Sequence, residues 1–79
     1  MIIVSQDEKT LVVLENAGQI YIDNSLGSSK PQICCDFGDG RSAVLAVYES
    51  EEKCRKELMR LANYYSNDTH FYMRKDVDK

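Results

Sequence analysis

The residues of this chain whose types could do chemistry are three cysteines, one histidine and a glycine-rich turn, most of them within "ICCDFGDG", residues 33–40. Adjacent Cys34 and Cys35 suggest redox chemistry, but neighbours on a strand point to opposite faces and cannot bridge without breaking the ladder. Cys35, Cys54 and His70 would be the members of a zinc site, yet their spacings match no zinc knuckle, and a free cysteine packs as a small buried apolar group. Cys35 and Cys54 are therefore read as core, and Cys34 is expected to face outward, either covered or open to a partner. A thiol switch would need a thiolate-stabilising neighbour, and only Arg41 is near in sequence. Asp36-Phe37-Gly38 spells the kinase metal triplet without the glycine-rich loop, strand lysine and catalytic aspartate that give it meaning. Residues 24–31 contain no Gly-Lys-Ser/Thr unit, and no serine or cysteine is spaced from His70 as a nucleophile from its base. No catalytic residue, metal or cofactor is assigned, and the expectation is a protein that is not an enzyme.

Binding chemistry is the alternative. Lys53, Lys56 and Arg60 share one side of a helical stretch, with Tyr64 one turn further. Their ordinary reading is a solvated face partly neutralised by Glu52 and Glu57. Their functional reading is a contact surface with an aromatic anchor. Arg41 and Lys53 would serve as phosphate contacts if several copies pooled cations around a small nucleotide. The candidate binding residues are thus Arg41, Lys53, Lys56, Arg60 and Tyr64.

The elements that must position these residues follow from composition and pattern. Seventy-nine residues, 43% apolar and 29% charged, suit one globular domain with a small core. Residues 1–40 carry six acids and two bases, and residues 41–79 seven acids and eight bases. Neither half has the clustered cations that duplex nucleic acid demands. The opening "MIIVSQDEKT" has no basic region or long apolar run, no segment approaches a membrane span, and three cysteines fit reduced thiols. The expected location is the cytoplasm.

"IIV", "LVV" and "QIYID" read as three short strands forming a meander, with "ENAG" as a turn. Residues 24–31, "NSLGSSKP", read as the main mobile loop. Asp39-Gly40 is the favoured centre of a two-residue hairpin turn, pairing Cys35 with Val44 and Ile33 with Ala46. One face would then hold Ile33, Cys35, Phe37, Val44, Ala46 and Tyr48, and the other Cys34, Asp36, Ala43, Leu45 and Val47. Ser50 caps a helix over about residues 50–65, with Glu51 and Glu52 in its first turn and Cys54, Leu58, Leu61, Ala62 and Tyr65 as the buried stripe. Asn67-Asp68-Thr69 is read as a chance glycosylation sequon within the helix stop "SNDT". "HFYMR" can add a last short strand before residues 75–79 fray. The expected architecture is α+β: a bent antiparallel sheet or partial barrel of about five strands with one helix across it.

The segments "MIIVSQDEKT", "DG…VLAVYESEEKCRKEL" and "FYM" resemble a group of small uncharacterised proteins of Gram-positive bacteria, their phages and mobile elements. The resemblance implies a non-enzymatic role in that setting and carries over no site residues. Together these readings lead to an expectation of a binding protein that meets a host protein or itself as a homo-oligomer, in anti-phage defence or its evasion. The alternatives are an oligomeric sponge for a small signalling nucleotide and a thiol or zinc switch. Duplex nucleic acid and membranes are not expected partners.

Overall fold

Short runs of β-branched and aromatic residues and a glycine-rich hairpin turn set the strands, and their lengths set the layout. In the computed structural model, which describes residues 1–24, 30–64 and 70–77, the order is β1 (Ile2–Val4), β2 (Leu11–Val13), a 3-10 turn (Leu14–Asn16), β3 (Gln19–Asp23), β4 (Gln32–Asp36), β5 (Ser42–Val47), α1 (Glu51–Tyr64) and β6 (His70–Tyr72). The interior of the 24–31 loop, Tyr65, the "SNDT" stop with its sequon and residues 78–79 lie outside the described residues.

The fold is α+β with one helix, as the pattern implied, but the strands form two three-stranded sheets rather than one bent sheet. The first has the order β2-β1-β6, antiparallel between β1 and β2 and parallel between β1 and β6. The second has the order β3-β4-β5, antiparallel throughout. The expected meander therefore breaks after β2. The 3-10 turn redirects the chain, and Gly18 donates its N–H to the Asp36 carbonyl at 2.7 Å, starting β3 against β4. The parallel pair requires a long crossover, supplied by everything between β1 and β6.

The β4–β5 hairpin differs from the simple two-residue turn. Phe37 to Arg41 form the loop, closed by the Phe37 N–H on the Arg41 carbonyl at 3.1 Å, with Gly38 and Gly40 both at positive φ (83° and 93°). Cys35 consequently pairs with Ala43 and Cys34 with Val44. A bulge between Ile33 and Cys34 restores the expected Ile33–Ala46 pair and leaves Leu45 as the extra residue. Leu45 and Ala46 are then both buried and Val44 is exposed, which overturns the expected division of faces. The bulge also releases the Leu45 carbonyl, which accepts the Gln6 N–H at 2.7 Å. Gln6 behaves as a one-residue strand on the edge of β5: its Oε1 accepts the Val47 N–H and its Nε2 donates to the Val47 carbonyl, both at 3.0 Å. This residue joins the two sheets.

Helix α1 starts as expected, with Ser50 Oγ accepting the Lys53 N–H at 3.2 Å. It packs on β3 and β4. Cys54 and Leu61 enter the core, but Leu58 is only half-buried, Ala62 is exposed and Glu57 is completely buried. Ile3, Val12 and Phe71 of the first sheet meet Ile33, Cys35, Leu45 and Ala46 of the second in one core, closed by Tyr48, Met73 and Val77. Val77 contradicts the expected fraying from residue 75. Its side chain is fully buried, Lys75 pairs with Glu8 at 3.2 Å, and Asp76 pairs with Lys53 at 3.3 Å.

Candidate protein-interaction surface

The five expected binding residues do not form one site. Arg41 lies at the tip of the β4–β5 loop, held by Asp39 at 2.9 Å and over the Phe37 ring at 5.6 Å. Lys53 is engaged by Asp76 near the C-terminal segment. Only Lys56 and Arg60 share a depression, a shallow hollow on α1 completed by Glu52, Arg55, Met59 and Asn63. Tyr64 stands edge-on to Phe71, with ring centroids 5.5 Å apart. Arg41 and Lys53, the residues expected to contact phosphate, each already hold a carboxylate of this chain.

Arg60 proves to be an architectural residue because Glu57 lies beneath it. The Glu57 carboxylate accepts from Arg60 Nε at 3.0 Å and Nη2 at 2.7 Å, from Arg74 Nε at 2.7 Å, and from the Arg74 backbone N–H at 2.8 Å. Burial alone would raise this carboxyl, but the hydrogen bonds from Arg60 and Arg74 outweigh it and hold it below the ordinary glutamate range. Arg60 also donates to the Tyr72 carbonyl at 2.7 Å and lies 4.3 Å from the centroid of the Phe71 ring. Tyr48 closes the network through its hydroxyl, which donates to the Arg74 carbonyl at 2.6 Å. Glu57 was expected to be a solvated partner of the lysine row. Its i,i+3 spacing to both Cys54 and Arg60 fits a buried position as well as an exposed one, and the deciding partner, Arg74, is 17 residues away.

All three thiols are buried, Cys34 included, so the outward and open position considered for it is not found. Burial pushes each thiol above its ordinary value, assisted by Asp23 at Cys34 and Asp36 at Cys35. Such thiols are poor nucleophiles at neutral pH. His70 is exposed at the start of β6. Among the described residues no three of His, Cys, Asp and Glu gather in a way that could hold a metal, and no helix is long and apolar enough to cross a membrane.

The surface that stands out was not singled out from the sequence. On the first sheet Val12, Ile3 and Phe71 form the inward row, so the neighbouring rows Leu11–Val4–Tyr72 and Val13–Ile2–His70 lie on the opposite face. Leu11 is 68% exposed, Val13 46% and Tyr72 62%, while Val4 between Leu11 and Tyr72 is buried and Ile2 is half-buried. Arg60 borders this face at the Tyr72 carbonyl and links it to the hollow on α1. The signal was available: "IIV" and "LVV" are apolar at both strand parities, which means either two covered faces or one that awaits cover. No protein-family model, curated protein or solved structure matches this chain.

Proposed function

We propose that this chain is a small non-enzymatic binding protein of the cytoplasm, of phage or mobile-element origin, that acts by occupying a surface on a host protein and inhibiting or modulating it, in the manner of anti-defence and anti-CRISPR proteins. The observation that carries the binding role is the group of exposed side chains Leu11, Val13 and Tyr72 on the outer face of the first sheet, flanking the buried Val4, with Arg60 on its border. Exposed apolar side chains with an aromatic among them and a polar rim are the usual make-up of a protein contact. Tyrosine and arginine are among the residue types that dominate such contacts. The host setting rests on the sequence resemblance of "MIIVSQDEKT" and "VLAVYESEEKCRKEL".

The test is affinity capture from lysate of a Gram-positive host, comparing the native chain with Tyr72→Lys, a surface change that leaves the inward row intact. The expected result is a stoichiometric host protein retained by the native chain and lost with the variant. Absence of any stoichiometric partner, or equal retention by both, refutes the proposal.

A further inference from the structure

The two sheets have four edges, and the chain treats them differently. The edge of β5 is occupied by Gln6, and that of β6 is capped by Arg60 on the Tyr72 carbonyl. The edge of β3 bears half-buried side chains, whereas β2 combines an edge position with exposed apolar side chains. In β2 the Thr10 carbonyl accepts the Ser5 N–H and the Leu14 N–H donates to the Met1 carbonyl, both at 2.9 Å. The even-numbered residues therefore turn their backbone groups toward β1. Leu11 and Val13 turn theirs away, where no strand meets them among the described residues and only the Val13 carbonyl is engaged, by the 3-10 turn it caps.

We infer that β2 is a self-pairing edge: two copies of this chain join antiparallel about a two-fold axis through Val12, making one six-stranded sheet. The arrangement is self-complementary in three respects. Leu11 falls opposite Val13 of the second copy: the Val13 N–H meets the Leu11 carbonyl, and the Leu11 N–H meets the Val13 carbonyl, which shares it with the Asn16 N–H of the 3-10 turn. Opposed residues in an antiparallel pair share a face, so both copies' Leu11 and Val13 side chains merge into one apolar cluster on the uncovered side. The antiparallel arrangement also brings Lys9, before β2, to the end of the second copy's strand where Glu15 of the 3-10 turn lies, so the flanking charges are opposite in sign. Both side chains are exposed, and Glu15 already holds the Met1 amine at 2.8 Å without being enclosed by it. A bare apolar edge invites this kind of pairing, and the three-residue length of β2 keeps it weak and reversible. The pairing does not depend on which host protein the outward face meets.

Sedimentation velocity tests the inference. The 9.0 kDa chain is expected to move from monomer toward dimer between about 10 µM and 1 mM, the regime of an interface smaller than the standard size. Val13→Pro should abolish dimerisation without altering the circular dichroism of the monomer. Val13 has φ −83° and ψ 110°, which a proline adopts, and its N–H is one of the outward donors. Lys9→Glu alone should weaken the dimer by roughly fivefold through two like-charge contacts, and adding Glu15→Lys should restore it. The amides of Leu11 and Val13 should exchange more slowly with deuterium as the native chain is concentrated, a readout that needs no variant. A chain that stays monomeric throughout, a dimer that survives Val13→Pro, or a charge reversal that is not rescued overturns the inference. Host-protein capture lost through Tyr72→Lys, on β6 at the opposite edge of the sheet from β2, is unaffected by any of these results.

Discussion

Glu57 is the residue on which sequence and structure diverge most. A carboxylate removed from water is tolerated only when its lone pairs are met, and here four donors from Arg60 and Arg74 meet them. Replacing it by glutamine keeps the shape but leaves two guanidinium groups without their counter-charge. Glu57→Gln is expected to cost about 3 kcal/mol, lowering the melting temperature by at least roughly 10 °C. The pH dependence follows in sign from the same contacts. Because the folded carboxyl titrates below its unfolded value of about 4.3, its contribution is complete above that pH and is lost as pH falls through the folded value. Urea midpoints measured from pH 7 to pH 3 should therefore fall on the acid side in the native chain, and fall less in Glu57→Gln. An equal acid slope in both proteins would remove Glu57 from this role.

At the scale of elements, turns decide more than strands do. The β1–β2 connection is held by Ser5, whose hydroxyl donates to Asp7 at 2.6 Å and accepts the Thr10 N–H at 3.1 Å. Its tightness places Glu8 at φ 61°, a left-handed conformation that costs a side-chain-bearing residue about 1–2 kcal/mol. Glu8→Gly removes that penalty while adding chain entropy to the unfolded state, so a net stabilisation of about 0.5–1 kcal/mol is expected in chemical denaturation. The ion pair with Lys75 that is lost joins two largely exposed side chains and is worth little. A loss of stability would mean that the Glu8 side chain does more for the turn than its backbone strain costs. The β4–β5 loop shows the same control from the other side. With two glycines at positive φ the turn between the bonded Phe37 and Arg41 has three residues, one more than the two-residue form, and the bulge at Leu45 absorbs the one-residue shift.

At the scale of the molecule, two small sheets become one domain because Gln6 and the C-terminal segment cross between them. The Gln6 amide also donates to the Lys75 carbonyl at 2.9 Å, so a single side chain ties the β1–β2 turn to β5 and to residues 74–77. Gln6→Ala should destabilise the chain by about 1–2 kcal/mol, since the freed groups are partly reached by water. Its signature is local: the Val47 amide, which donates to Gln6 Oε1, should lose hydrogen-exchange protection while amides within α1 keep theirs. Uniform loss across the chain would show instead that Gln6 supports global stability alone.

What the sequence by itself determined is the inventory of elements. β-branched runs located the first three strands, Ser50 with Glu51 and Glu52 located the helix start, the glycines around Asp39 located the β4–β5 hairpin, and the aromatic pair Phe71-Tyr72 allowed a last short strand, because these signals act within a few residues. The partners of the strands, the bulge that buries Leu45 beside Ala46, the covered Cys34, the anchored Val77 and the carboxylate beneath Arg60 were decided by tertiary structure. Each of these depends on a group distant in sequence: Gln6 for Leu45, Arg74 for Glu57, Val4 for Tyr72. Local preference carries no information about such pairings. The outer face of the first sheet belongs to both levels. Its apolar character is written in "IIV" and "LVV", and the exposure of Leu11, Val13 and Tyr72 is decided by which side of the sheet the core takes.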